Sequence, residues 1–100
     1  MSEEKRGETF VIKGEVGPGA PIEFNTFVLG LASTALIHLG EAPHPETGKP
    51  ETSLELARES LELLSLLRRK TQGNLSLDEE RFFDNLLSDL RLRYVSASQR

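Results

Sequence analysis

The chain has 100 residues, a net charge of −4 and no cysteine. This length suffices for one domain with a single modest core. The lack of cysteine excludes disulfides, thiolate metal sites and thiol catalysis, and the acidic balance gives no support for a nucleic-acid partner.

Residues 1–22 are predicted to form a flexible N-terminal tail and linker. Residues 1–8 (MSEEKRGE) lack the apolar core of a signal peptide, and no transmembrane segment follows, so we expect a cytoplasmic protein. Phe10–Ile12 is β-prone but too short to hold a sheet alone. This run either stays with the tail or pairs with the sheet edge of a partner protein. Residues 14–21 contain three glycines and two prolines, which disfavour regular structure.

The first predicted helix begins near Phe24 and ends at Gly40, a residue suited to the position just beyond a helix. Residues 24–39 (FNTFVLGLASTALIHL) contain no fully charged side chain. At about 100° per residue, the long apolar side chains cover more than half of the helical circumference. The stretch is shorter than the about 20 residues that a membrane span needs. It is therefore predicted to be a core helix.

The remaining side of this helix carries small or weakly polar residues at intervals of four, namely Thr26, Gly30, Thr34 and His38. A glycine inside a helix costs about 1 kcal/mol relative to alanine. Gly30 therefore indicates either a close crossing with another helix or a weakly polar, exposed strip. We take these four residues as a candidate interaction surface.

Residues 41–51 (EAPHPETGKPE) connect the first helix to the second. Their three prolines and one glycine forbid a helix and predict an extended, partly rigid connection. Connections of this length are often functional or mobile. One alternative interpretation is therefore that this segment serves as a lid over a binding site.

A capping box of Thr52 with Glu55 predicts that the second helix starts near Ser53. Its apolar residues cover nearly half of the circumference, which is more than one helix contact needs. Three of its leucines therefore join the candidate interaction surface, namely Leu56, Leu63 and Leu67. Gly73 is predicted to cap the end of this helix in the left-handed conformation.

A second capping box, Ser76 with Glu79, predicts the start of the third helix. The predicted structural caps are thus Thr52, Gly73 and Ser76. Because the connection is short, helices two and three should form an antiparallel hairpin. We interpret residues 70–76 as a turn and cap, although a binding loop would be an alternative. The predicted fold class is all-α, with a three-helix domain over residues 23–97 and the first helix packed across the hairpin.

Four segments, residues 27–32 (FVLGLA), 35–40 (ALIHLG), 70–76 (KTQGNLS) and 90–95 (LRLRYV), are distinctive. Together they resemble the bacterial family called domain of unknown function 1844. The resemblance covers about residues 24–95 and leaves the tail unmatched. It implies a small, mostly helical bacterial cytoplasmic protein, and it brings no catalytic residue because the family has no established activity.

The sequence shows no recognisable catalytic or metal-binding pattern. His38 and His44 are the only histidines, and they straddle a proline-containing loop, whereas a metal needs three or four converging ligands. The acidic pairs occupy exposed or dipole-matched positions, and no serine has a recognisable base partner. We therefore predict no enzyme activity, no metal and no cofactor.

The function predicted from the sequence is a small non-catalytic protein–protein interaction module. It would be an adaptor or regulatory subunit of a bacterial cytoplasmic complex, which associates with itself, most simply as a dimer, and binds a further unidentified protein. The alternative is an enzyme or small-ligand-binding protein that uses residues 41–51 as a lid. Apolar surface beyond the needs of the core favours the first interpretation, and a polar pocket under residues 41–51 would favour the second.

Overall fold

The computed structural model describes residues 22–100. This part of the chain contains three helices and one two-stranded antiparallel sheet. In chain order the elements are α1 (Phe24–His38), β1 (Leu39–Pro43), β2 (Pro50–Thr52), α2 (Leu54–Lys70) and α3 (Leu77–Ser98). Apart from Ile22, the predicted tail at residues 1–22 and its β-prone run at Phe10–Ile12 lie outside the described residues.

The fold is mostly helical, as predicted, but the prediction of a strictly all-α fold is wrong between α1 and α2. There the chain forms a β-hairpin in which Leu39 pairs with Thr52 and Pro43 with Pro50. Proline forbids a helix, yet its fixed φ angle suits an extended strand at a sheet edge, where its missing N–H is tolerated. The segment predicted to be merely extended therefore folds back on itself.

Gly40 directs the chain from α1 into the hairpin. Its φ angle is +80°, in the left-handed region that favours glycine. A Cβ atom at this position would collide with Oγ1 of Thr52 on the opposite strand. Gly40 is thus required both by its backbone conformation and by the close approach of β2.

Ser53, rather than the predicted Thr52, caps α2. The Ser53 Oγ accepts a hydrogen bond from the Leu56 N–H at 3.3 Å. Thr52 cannot take this role because it belongs to β2, where it pairs with Leu39. The Ser53 N–H donates to the His38 carbonyl at 2.8 Å, which ties the start of α2 to the end of α1.

The turn between α2 and α3 has the predicted Ser76 cap of α3, but the C-cap of α2 is Thr71, and the left-handed Gly73 lies two residues beyond it. The Glu79 N–H donates to Ser76 Oγ at 3.1 Å, and the Ser76 N–H donates to Glu79 Oε1 at 2.8 Å, which completes the capping box. Gly73 has a φ angle of +85°, in the left-handed region. The Thr71 hydroxyl donates to the Leu67 carbonyl at 3.0 Å and so closes the last turn of α2.

Replacing Gly73 by valine is expected to lower the free energy of unfolding by about 1–2 kcal/mol, because a β-branched residue resists a positive φ angle. No other atom would contact a Cβ here, so the effect isolates the backbone conformation. Gly73→Asn is the matched control and should cost less, since asparagine tolerates this region. Urea denaturation measures both, and an unchanged midpoint for Gly73→Val would contradict the left-handed conformation of Gly73.

The core lies where α1 crosses the α2–α3 hairpin. Small side chains on the buried side of α1 allow this helix to approach the other two closely. The Phe24 ring lies 6.0 Å from the Phe83 ring, which joins the start of α1 to α3. The fully or nearly buried residues of the described chain are all apolar: Val28, Ala32, Ala35, Leu39, Ala57, Leu61, Leu64, Phe83, Leu87, Leu90 and Ala97.

Candidate interaction surface

The outward side of α1 carries the four residues that the sequence singled out, which we call the α1 strip (Thr26, Gly30, Thr34 and His38). Gly30 and Thr34 are exposed, and Thr26 and His38 are partly buried. A Cβ atom at Gly30 would meet no other atom within 4 Å. Among residues 22–100, the α1 strip therefore makes no close helix crossing at Gly30.

Phe27 lies beside the α1 strip and differs from its expected position. As a long apolar residue of a predicted core helix it is expected to be buried, but 47% of its surface is exposed. Its ring is 6.4 Å from the Phe24 ring, which itself packs against the core. An aromatic side chain thus extends the uncharged surface next to Gly30.

The candidate leucines of α2 divide into two groups. Leu56 and Leu63 are 45% and 53% exposed, whereas Leu67 is partly buried and packs against the core. Leu56 and Leu63 are seven residues apart and so lie on the same side of α2. Because α2 buries the side that carries Ala57, Leu61 and Leu64, these two leucines stand on an uncovered flank.

The ion pairs that join two elements of the described chain contain no residue of α1. Arg68 of α2 binds Asp84 at 2.7 Å and Glu80 at 3.2 Å on α3. The hydrogen bond from Arg68 to Asp84 raises the pKa of Arg68 above its ordinary value, and so do the charges of both carboxylates. This cluster joins α2 to α3.

A second arginine joins α3 to the hairpin. Arg93 binds Asp89 at 2.7 Å and also binds Glu41 of β1. Hydrogen bonds to Asp89 and Glu41 raise the pKa of Arg93 above its ordinary value. Both arginine clusters thus connect two elements, and neither contains a residue of the α1 strip.

The two histidines lie in separate environments. His38 ends α1, whereas His44 lies in the turn of the hairpin, where its Nδ1 accepts a hydrogen bond from the Glu46 N–H at 3.1 Å. Within residues 22–100, no group of three or more histidine, aspartate or glutamate side chains is placed to hold a metal ion. Each histidine thus takes part in local hydrogen bonding, His44 through its ring and His38 through its backbone carbonyl.

Two surface grooves lie along the hairpin of helices. One, of about 580 Å³, is lined by Arg58, Leu61, Glu62, Ser65, Leu66, Arg69 and Arg91. The other, of about 320 Å³, lies on α3 and is lined by Phe82, Asn85, Leu86 and Asp89. Residues 41–51, considered above as a lid, line neither groove.

The sequence patterns described above do not indicate the first groove. A signal for it does exist in α2, because Arg58, Ser65 and Arg69 follow one another at intervals of seven and four residues. Such residues share one side of a helix. The contribution of Arg91 from α3 could not be found in this way, since it depends on how the two helices are rotated against each other.

Comparison with known proteins gives one match. The model of the family described as Domain of unknown function (DUF1844) matches residues 21–96, which confirms the resemblance seen in the four sequence segments. No curated protein and no solved structure matches the chain. In the described part of the chain, every helix is too short or too polar to cross a membrane.

Proposed function

This chain belongs to the family described as Domain of unknown function (DUF1844), and we propose that it is a small non-catalytic interaction module that associates with itself. In this role it is an adaptor or regulatory subunit of a bacterial cytoplasmic complex. The observation that carries the proposal is the outward side of α1, which is exposed at Gly30 and Thr34, partly exposed at Thr26 and His38, and has no charged side chain.

A helix on the surface of a soluble domain usually places charged residues toward solvent. The outward side of α1 instead presents Gly30, Thr34 and the half-exposed ring of Phe27. Single exposed apolar residues are common on protein surfaces. A whole helix side without charge is different, because removing it from water carries only a small desolvation penalty. Interface cores are likewise depleted in charge and enriched in aromatic residues. The composition of this side therefore supports its burial against a protein.

A second copy of the chain is the occupant that this surface fits best. In a two-fold symmetric dimer the same patch meets itself. In such a dimer a charged patch would face the same charge on the second copy and be repelled. The uncharged α1 strip meets its copy without this repulsion. Gly30 lies between Thr26 and Thr34 in the strip and would let two α1 backbones approach closely. The exposed Leu56 and Leu63 on α2 supply further apolar surface to the same dimer.

Replacing Gly30 by leucine tests this arrangement, because it has opposite effects on the chain and on the dimer. Within the chain, the new side chain enters open space and removes a helix-interior glycine, which should stabilise α1 by about 1 kcal/mol. Between two copies, the same side chain would separate the α1 backbones. We expect unchanged or higher stability of the monomer, together with at least about a tenfold loss of self-affinity.

Light scattering coupled to size-exclusion chromatography measures the self-association, and urea denaturation measures the stability. Ser88→Leu is the matched control, because Ser88 is an exposed residue in the interior of α3 and lies outside the α1 strip. Self-association that is equally strong in Gly30→Leu and wild type would contradict the proposed crossing.

A further inference from the structure

The groove between α2 and α3, defined above by its seven lining residues, combines apolar surface with cationic side chains. Arg58, Ser65 and Arg69 line it from α2, and Arg91 lines it from α3. Arg58 and Arg69 are eleven residues apart, so the groove follows α2 for about 16 Å. Leu61 and Leu66 contribute the apolar part of its wall.

Two of the guanidinium groups in this groove have no acidic partner in the described part of the chain. Arg91 Nη2 donates to Ser65 Oγ at 2.8 Å, a neutral partner that holds the guanidinium across the two helices. Within residues 22–100, Arg69 makes no side-chain hydrogen bond, and neither Arg69 nor Arg91 forms an ion pair. By contrast, Arg58 binds Glu62 at 2.7 Å. In a chain of net charge −4, this end of the groove is positive and the Arg58–Glu62 end is neutral.

We propose that this groove binds an acidic, partly apolar peptide segment of a partner protein, with carboxylates of the segment on Arg69 and Arg91. The planar guanidinium pairs with a carboxylate through two parallel hydrogen bonds, which gives both energy and direction. Apolar residues of the segment pack on Leu61 and Leu66. The inference deepens the proposed function, on which it rests, by naming the chemistry of the second partner.

The groove favours an acidic peptide over a nucleic acid. A polynucleotide carries closely spaced phosphates and would meet Glu62 within the groove and the negative charge of the whole chain. A peptide segment can place isolated carboxylates at the positive end and apolar side chains beyond them. The peptide therefore matches both the position of the charges and the leucines.

The groove and the proposed dimer surface lie on different sides of α2. At about 100° per residue, Arg58 and Arg69 are about 140° around the helix from Leu56 and Leu63. A dimer formed through α1 and the α2 leucines therefore leaves the groove open. One module can then bind its own copy and a partner at the same time, as an adaptor requires.

Selection from a displayed library of random peptides, each about 12 residues long, tests the proposal on the full chain. We expect the selected peptides to be enriched in aspartate and glutamate, with apolar residues between them. Synthetic copies should bind at least about tenfold more weakly to the variant Arg69→Gln/Arg91→Gln, and more weakly as salt is raised. Arg81→Gln is the matched control, because Arg81 is an exposed arginine on α3 outside the groove, and it should leave binding unchanged.

Any one of three results would overturn the proposal: the selection yields no peptide, the selected peptides show no enrichment in acidic residues, or they bind the double variant as tightly as the wild type. Tighter binding of a single-stranded oligonucleotide would overturn it in favour of a nucleic acid. Arg69→Gln alone removes no side-chain hydrogen bond or ion pair of the described chain and should fold normally. It therefore preserves the test if the double variant is destabilised by the loss of the Arg91–Ser65 hydrogen bond. If no peptide binds but Gly30→Leu still dissociates the dimer, the groove proposal is rejected and the self-association proposal stands. If the wild type is monomeric but binds the peptides, self-association is rejected and the groove proposal stands.

Discussion

Replacing Phe83 by alanine is expected to remove most of the stability of the domain. Phe83 has no exposed surface, and its ring packs 6.0 Å from the Phe24 ring, where α1 crosses α3. Truncating a buried phenylalanine costs about 3–5 kcal/mol, through lost burial and the cavity left behind. The total stability of a natural domain is only about 5–15 kcal/mol, and a small domain lies toward the lower end.

Urea denaturation followed by circular dichroism measures this loss. Leu92→Ala is the matched control on the same helix, because Leu92 is 71% exposed. Its substitution should change the free energy of unfolding by no more than about 0.5 kcal/mol. Equal losses for the two variants would contradict the position of the core beneath α1.

Gly40→Ala is expected to cost about 2–4 kcal/mol, because two effects add at this position. A non-glycine residue with a positive φ angle costs about 1–2 kcal/mol. The new Cβ would also collide with Oγ1 of Thr52, and such overpacking costs about 1–3 kcal/mol. The variant should therefore loosen the hairpin from the end of α1.

Gly48→Ala separates the two effects. Gly48 also has a positive φ angle, +73°, but a Cβ there would meet no atom within 4 Å. We expect it to cost about 1–2 kcal/mol, from the backbone alone. Adding Thr52→Ala to Gly40→Ala should recover part of the loss, since it removes the colliding oxygen, and a double-mutant cycle measures this recovery. Identical losses for Gly40→Ala and Gly48→Ala would contradict a cost from the collision with Thr52.

The helix boundaries could be predicted where local residues alone determine them. The capping box of Ser76 and Glu79 joins groups only three residues apart, so its pattern was sufficient. At α2 two neighbouring hydroxyls competed for the cap, and Ser53 takes it because Thr52 is held in the sheet. That pairing joins Thr52 to Leu39, thirteen residues earlier, and no short-range pattern reveals such a contact.

The same distinction applies to the two proposed surfaces. The α1 strip could be recognised because Gly30 and its neighbours repeat along one helix, and the structure leaves Gly30 and Thr34 exposed. The groove could not, because the bond from Arg91 to Ser65 spans 26 residues and depends on the rotation of α3 against α2. A periodic pattern identifies one side of a helix but not the neighbour that covers it.

Sedimentation equilibrium over a wide range of protein concentrations tests self-association most directly. The chain mass is 11.1 kDa. The proposed dimer predicts an apparent mass that rises with concentration toward twice this value, and Gly30→Leu should shift the rise to higher concentration. A single mass near 11.1 kDa at every concentration would contradict self-association.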